Sequence, residues 1–321
     1  VVITAQFGAG NFNVLVNFAP EGTVVGFFIQ PAETPAAPEV ATPPYANADA
    51  YTEIDVTIGE GTEYPLPGTL TLPVNVDGLV PAVVIVHGSG PNDRDGTLGA
   101  LKPYRDLAWG LASQGIAVLR YDKRTLVYGA QMTAAETGSV YDEMIDDAVL
   151  AVALLRQTEG IDPERIFVLG HSLGGQFAPL IAAEAPEIAG LIIAAGATAG
   201  ETLSEVLVRQ VTYLVGTDGE ISPQEQAALD QTIALAAEID ALTPDSDPTT
   251  MIMGAPASYW LEVNSYDMPA ATLAIDVPIL VVHGERDYQA ILDRLEAWQT
   301  AVGERPNTTV ITYPCVNHAL V

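Results

Sequence analysis

The chain has 321 residues, of which 49% are hydrophobic and 17% are charged, a balance that excludes wholesale disorder and permits a large packed core. Its net charge is -29, because it has 41 acidic residues and only 12 basic ones. The resulting negative electrostatic potential disfavours nucleic acids and anionic membrane surfaces as partners. Cys315 is the only cysteine, which excludes an intrachain disulfide and a cysteine-based metal cluster, and no apolar run reaches the roughly 18 residues of a membrane span.

The N-terminal residues 1–30 are predicted to form three short strands. The second, at 12–18, alternates apolar and asparagine side chains with the period of two that marks a half-buried strand. Turn residues separate the three strands, which predicts an antiparallel meander. Because three strands alone are barely stable, we expect this segment either to pack on the main domain or to be the end of a larger domain.

A Pro- and Ala-rich stretch at 31–50 is predicted to be a semi-rigid linker, because its prolines prevent a regular helix or strand ladder. From Tyr51 onward, apolar strands alternate with amphipathic helices, which is typical of a mostly parallel sheet covered on both faces. Residues 51–321 are therefore predicted to form an α/β domain. Its apolar strands are predicted at 82–86, 116–119, 166–169, 191–194, 279–282 and 309–312, and amphipathic helices are predicted at 104–113 and 141–157.

About eighty residues separate the fourth and fifth of these strands. This stretch contains a clear helix start, in which Ser222 is the expected N-cap, Pro223 the first helical residue, and Glu225 the partner in a capping box. We interpret residues from about 198 to 274 as a helical lid inserted over the carboxyl edge of the sheet.

The strongest local motif is GHSLGG at residues 170–175, which lies between a predicted strand and a helix-like segment. A strand-to-helix turn this tight lifts a serine clear of the sheet edge, and the flanking glycines leave room for neighbouring backbone. The motif therefore predicts Ser172 as a nucleophile. Pro179 is expected to bend the helix that follows.

A nucleophilic serine needs a base to accept its proton. Of the four histidines, only His318 lies just beyond the last predicted strand, where the chain order serine, acid, histidine places the base. His87 and His283 end strands and are expected to serve packing. The acid should follow the preceding strand, where Asp287 is the first choice and Glu285 the alternative.

An oxyanion that forms on an attacked carbonyl needs two backbone N–H donors. Leu173, the residue after the nucleophile, is expected to supply one. The other is expected from the glycine-rich loop after the first long apolar strand, with Ser89 preferred and Gly88 second. Since His318 must be neutral to accept the proton of Ser172, the rate is expected to rise through about pH 6 to 7.

The loop at 87–97 reads HGSGPNDRDGT, and the chain continues with the segments DLAWGLA and RYDKR. Together with the GHSLGG elbow, these motifs resemble the α/β-hydrolase superfamily, in particular bacterial carboxylesterases, over roughly 51–318. The resemblance implies a three-layer sandwich, a triad matching Ser172, Asp287 and His318, short acyl esters as substrates, and no cofactor. It also implies a small N-terminal domain of unknown function and a helix after the histidine, so the chain is expected to be clipped at both ends.

Outside the predicted triad, three groups of residues carry weaker signals. Tyr259 and Trp260 are expected either to line an acyl or aromatic pocket or, equally, to form a buried aromatic pair. Cys315 is expected to be a small buried filler. The charged run at 93–95 lies in the loop at 87–97 that is expected to supply an oxyanion donor, which we call the oxyanion loop. The run is expected to order this loop by ion pairing rather than to touch substrate.

The sequence therefore predicts a serine carboxylesterase that hydrolyses small-molecule esters, either short-chain or aryl carboxylic esters, through an acyl-enzyme and needs no metal. A serine oligopeptidase or aminopeptidase is the first alternative, because the same triad cleaves amides, although no repeat of propeller-blade length occurs. The second is a binding protein with a vestigial triad. A homo-oligomer is compatible with the sequence, and the Pro/Ala linker favours a secreted or cell-envelope protein.

Overall fold

We describe the chain from a computed structural model, which covers residues 2–7, 10–18, 24–31, 42–134, 138–217 and 219–321. It divides into two compact units, one formed by Val1–Thr42 with Leu98–Leu101 and the other by Pro43–Thr97 with Lys102–Val321.

The first unit contains an antiparallel sheet of the strands β1 (Val2–Phe7), β2 (Gly10–Phe18) and β3 (Val24–Pro31), in that order. Strand β3 extends to Pro31, the first residue of the predicted linker. Residues 32–41 of that linker lie outside the described residues.

The second unit alternates strands and helices. In chain order its elements are β4 (Tyr51–Ile58), β5 (Leu66–Pro73), β6 (Val80–Val86), α1 (Pro103–Ala112), β7 (Ala117–Tyr121), α2 (Arg124–Val127), α3 (Gly129–Ala134), α4 (Asp146–Arg156), β8 (Ile161–His171), α5 (Leu173–Gln176), α6 (Ala178–Glu184), β9 (Gly190–Ala194), α7 (Leu203–Val215), α8 (Pro223–Asp240), β10 (Met251–Ile252), β11 (Ala255–Pro256), α9 (Ala257–Ser265), α10 (Met268–Leu273), β12 (Ile279–Gly284), α11 (Leu292–Val302) and β13 (Thr308–Tyr313).

In the described part of this unit, eight strands form one sheet in the order β13-β12-β9-β8-β6-β7-β5-β4. Strands β13 to β7 pair in parallel, whereas β5 and β4 continue the sheet antiparallel at one edge. All of the predicted apolar strands lie in this sheet. Helices pack on both of its faces, which confirms the predicted α/β-hydrolase architecture.

Strand β6 shows why the sequences of these strands are continuously apolar. Ala82, Val84 and Val86 belong to the large core cluster, whereas Val83 and Ile85 belong to a second cluster. Because successive side chains of a strand point to opposite faces, the two clusters lie on the two sides of the sheet. All five residues are at most 3% exposed, so β6 has no polar face.

Strands β4 and β5 are not among the predicted strands. β4 is the edge strand and most of its residues are exposed, so it lacks an apolar run. β5 carries Pro67, Gly68 and Pro73, residue types that usually interrupt or end a strand.

The capping box predicted for α8 is confirmed. Ser222 Oγ accepts the N–H of Glu225 at 3.3 Å, and the Glu225 carboxylate accepts the N–H of Ser222 at 2.7 Å. The same box, formed by Thr202 and Glu205, starts α7 and was not predicted.

Two predicted helices are divided in the structure. The bend expected near Pro179 is a break, because α5 ends at Gln176 and α6 starts at Ala178, with the proline in its first turn. The helix expected at 141–157 begins with a π-helical turn, Tyr141–Ile145, before α4.

In chain order, helices α7 to α10 and the short antiparallel pair β10-β11 come after β9 and before β12, in the region predicted as a lid. The strand pair was not predicted. Within the described residues, no helix is both long enough and apolar enough to cross a membrane.

Candidate active site

Ser172 lies in the turn between β8 and α5, with backbone angles of φ 54° and ψ -120°. A residue other than glycine rarely adopts a positive φ, so the surrounding structure must hold this strained turn in place. A Cβ on Gly170 would lie 2.2 Å from the carbonyl oxygen of Gly174, and a Cβ on Gly174 would lie 2.4 Å from that of His87. Only glycine fits at both positions, as in a strand-to-helix nucleophile elbow.

The structure brings Ser172, His318 and Asp287 together. Nε2 of His318 lies 2.9 Å from Oγ of Ser172, and Nδ1 of His318 lies 2.7 Å from Oδ2 of Asp287. The other carboxylate oxygen of Asp287 accepts the backbone N–H groups of Gln289 and Ala290 at 2.8 and 2.9 Å. The Asp287 side chain is 0% exposed, so its carboxylate has a fixed orientation toward the imidazole.

Glu285, the alternative acid, lies elsewhere. It is exposed, and its carboxylate accepts the hydroxyl of Thr312 at 3.1 Å. The arrangement of the two carboxylates therefore favours Asp287 as the partner of His318.

The loop after β6 runs beside the serine, since a Cβ on Gly88 would lie 3.0 Å from Cβ of Ser172. Among the described residues that line the cavity containing Ser172, Ser89 is present and Gly88 is not. Within the described chain, the N–H groups of Ser89 and Leu173 donate to no protein acceptor, and both residues line the cavity that contains Ser172. Of the two predicted loop donors, the geometry therefore favours Ser89.

His171 contacts the backbone of His318, which the sequence did not reveal. Its Nε2 lies 2.7 Å from the carbonyl oxygen of His318, and its Nδ1 lies 2.8 Å from the hydroxyl of Tyr104. Because a carbonyl oxygen only accepts, Nε2 carries the proton and Nδ1 accepts from Tyr104. Burial, together with the nearby His318, lowers the pKa of His171 to about 4. A neutral His171 thus anchors the His318 loop.

The remaining histidines lie in packed surroundings. His87 packs edge-on against Tyr104 and Tyr121, and His283 is 0% exposed in β12. Burial, and secondarily the Lys123 ammonium, lowers the pKa of His87 to about 3.

This shift makes stability dependent on pH in a testable way. Between pH 6.5 and 3 the unfolded chain binds a proton at His87 that the folded chain does not, so the free energy of unfolding falls as pH falls. Between pH 6.5 and 4.5 the wild type is expected to lose about 2 kcal/mol more than His87→Gln. Urea unfolding of both proteins at the two pH values measures this difference. Equal losses would contradict the low pKa.

A cavity of about 450 Å³ opens on Ser172 and His318. Tyr259 and Trp260 line it, and they are 9% and 5% exposed. Tyr259 Oη donates to Glu143 at 2.7 Å, and Trp260 Nε1 donates to a carbonyl oxygen of β10 at 2.9 Å, so both rings are fixed. Further apolar wall residues are Met132, Leu203, Val206, Leu207, Met251 and Met253.

The acidic groups on the cavity wall have cationic partners. Glu143 forms an ion pair with Lys123, and Glu201 forms one with Arg209 at 2.8 Å. No unneutralised carboxylate therefore lines the cavity within the part of the chain that the structure describes. Among the same residues, no group of three or more His, Cys, Asp or Glu side chains could hold a metal ion.

The charged run at 93–95 orders the loop after β6 by ion pairing, as predicted. Arg94 pairs with Asp122 at 2.8 Å, and Asp95 pairs with Lys102 at 2.7 Å and also with Arg120.

The prediction for Cys315 was wrong, because its side chain is exposed. Cys315 follows β13, which is the edge strand opposite β4. Like β4, β13 has mostly exposed residues.

Comparisons with known proteins place this geometry in context. Residues 81–321 match the model of a family described as serine aminopeptidase, S33. The chain is also 34% identical over 326 aligned residues to esterase EstD of Thermotoga maritima, an alignment that covers 99% of this chain and 71% of EstD.

Two solved structures share the fold at low sequence identity. Est1E of Butyrivibrio proteoclasticus is 17% identical with a TM-score of 0.53, covering 83% of this chain and 90% of Est1E. The acylaminoacyl peptidase of Pyrococcus horikoshii is 14% identical with a TM-score of 0.51, covering 84% of this chain and 38% of the peptidase.

Proposed function

Because the chain belongs to the serine aminopeptidase S33 family of α/β-hydrolases, and is therefore a serine hydrolase, we propose that it is a carboxylesterase for neutral small-molecule esters. The proposal is carried by the hydrogen bonds that join Ser172 Oγ to His318 and His318 to the buried Asp287, at 2.9 and 2.7 Å. The similarity to esterase EstD supports the ester as the bond that is cleaved.

In the proposed mechanism, Ser172 attacks the ester carbonyl while His318 Nε2 takes its proton. Asp287 holds the imidazole in the required tautomer and stabilises the imidazolium. The oxyanion binds the N–H groups of Ser89 and Leu173. His318 then protonates the leaving alcohol, and a water molecule, deprotonated by the same histidine, releases the acid from the acyl-enzyme.

A peptidase is the second candidate, since the matching family is described as serine aminopeptidase and a fold neighbour is an acylaminoacyl peptidase. Recognition of a free peptide amino terminus would require an unneutralised carboxylate near the serine. The carboxylates of Glu143 and Glu201 already have cationic partners, which supports the esterase.

The test compares p-nitrophenyl butyrate with the p-nitroanilide of butyric acid and with alanine p-nitroanilide. The ester is expected to be hydrolysed, whereas both anilides stay at the background rate of the Ser172→Ala variant. Faster turnover of alanine p-nitroanilide than of the ester would favour the peptidase.

Fluorophosphonate labelling separates an enzyme from a binding protein with a vestigial triad. Mass spectrometry is expected to locate one adduct, on Ser172, and no adduct on a surface serine such as Ser265. Absence of the Ser172 adduct would favour the binding protein.

A further inference from the structure

Lys123 lies just after β7 and is 1% exposed. Its ammonium group donates to the carbonyl oxygen of Gly88 at 2.8 Å and to the carboxylate of Glu143. The other carboxylate oxygen of Glu143 accepts the hydroxyl of Tyr259 at 2.7 Å. A buried ammonium is costly unless it is paired and hydrogen-bonded, and here a carbonyl oxygen and a carboxylate both accept from it. The mechanism proposed above assigns this lysine no step.

The carbonyl group of Gly88 and the N–H of Ser89 belong to the same peptide group. In a trans peptide they point in opposite directions, so a donor that fixes the oxygen also fixes the direction of the N–H. Lys123 binds the oxygen from the buried side, whereas Ser89 lines the cavity together with Ser172. The N–H of Ser89 therefore points away from Lys123.

We propose that Lys123 is a positioning residue that holds the Gly88–Ser89 peptide in the orientation in which its N–H binds the oxyanion. This inference rests on the proposed function. A charged donor on the carbonyl oxygen also polarises the peptide and strengthens its N–H as a donor. The Asn92 amide contributes less, because it lies 3.3 Å from the Gly88 oxygen and closer, at 2.8 and 3.0 Å, to the oxygens of Ser89 and Gly90.

If the ion pair between Lys123 and Glu143 only stabilises the fold, the expected kinetic effect of removing Lys123 is different. Its loss lowers the amount of folded enzyme, but kcat per active site and KM stay the same. Loss of a positioning residue instead lowers kcat at unchanged KM, because the oxyanion develops only on the way to the transition state.

The experiment compares Lys123→Met/Glu143→Gln with Glu143→Gln alone, so that no buried carboxylate loses its counter-ion. Active sites are counted by fluorophosphonate titration. On p-nitrophenyl butyrate, the lysine change is expected to lower kcat by about 100-fold, the effect of losing one oxyanion donor, with KM changing less than about threefold. If the methionine variant does not fold, Lys123→Gln in the same background replaces it, since the shorter amide stops short of the Gly88 oxygen.

Inhibitor affinity distinguishes the two roles of Lys123. A purely structural role predicts that the affinity per active site does not change. A trifluoromethyl ketone forms a tetrahedral oxyanion on the serine, so its binding is expected to weaken by about the same factor as kcat. The p-nitroanilide of butyric acid, a ground-state analogue without an oxyanion, should bind as before. Equal weakening of both inhibitors, or a kcat per active site within about threefold of the Glu143→Gln parent, would overturn the proposal.

Arg165→Met is the matched control, because it removes a cationic side chain that is 50% exposed, pairs with Asp162 at 2.6 Å and does not line the described cavity. Its kcat is expected to stay within about threefold of the wild type. Failure of the proposed function is a separate result, because the wild-type chain itself would then lack ester turnover or the Ser172 adduct.

Discussion

Changing Ser172 to alanine is expected to lower kcat/KM for p-nitrophenyl butyrate by about 10⁴- to 10⁶-fold. The hydroxyl oxygen forms the bond to the acyl group in the proposed mechanism, so without it His318 can only activate water. A small residual rate is expected, because the N–H donors of Ser89 and Leu173 are still in place. Initial rates of the purified proteins, together with loss of fluorophosphonate labelling, measure the effect.

The fold should tolerate this change, because Oγ of Ser172 has one side-chain partner, Nε2 of His318. The thermal unfolding midpoint is therefore expected to stay close to that of the wild type. Ser265→Ala, at the exposed end of α9, is the serine control and should keep the wild-type rate. A folded Ser172→Ala protein with wild-type activity would exclude Ser172 as the nucleophile.

The parts of the site that follow a local pattern could be predicted. The segments that carry Ser172, Asp287 and His318 each follow an apolar strand, β8, β12 or β13. These strands are parallel, so their carboxyl ends lie at one edge of the sheet. Chain order and strand ends were therefore sufficient to select three residues whose side chains meet within hydrogen-bonding distance.

Contacts that support these residues have no such local pattern. His171 reaches the carbonyl oxygen of a residue 147 positions away, and Lys123 reaches that of Gly88 across 35 positions. Neither contact leaves a periodic or motif signal, because each depends on how separate loops pack. The same holds for Cys315, whose exposure follows from its place beside an edge strand rather than from its residue type.

Gly284 is expected to be nearly as important for activity as the proposed catalytic side chains, although it has no side chain that could take part in the reaction. It ends β12, and a Cβ there would lie 2.2 Å from the carbonyl oxygen of Val316 and 3.1 Å from that of Asn317. Both atoms are backbone atoms in the loop that leads to His318, so no side-chain rotation relieves the clash. The Val316 oxygen also accepts the N–H of Arg286 at 3.0 Å, which ties the acid loop to the histidine loop.

Gly284→Ala is therefore expected to push these two loops apart and to separate His318 from Asp287. Overpacking of this kind costs about 1–3 kcal/mol of stability, and a displacement of about 1 Å in the reacting groups lowers kcat/KM by about 100-fold. Urea unfolding and ester hydrolysis measure the two effects. Gly216→Ala is the matched control, since Gly216 has φ -95° and a Cβ there would meet nothing closer than 3.2 Å. Wild-type activity in folded Gly284→Ala would mean that the two loops can separate without disturbing the contact between His318 and Asp287.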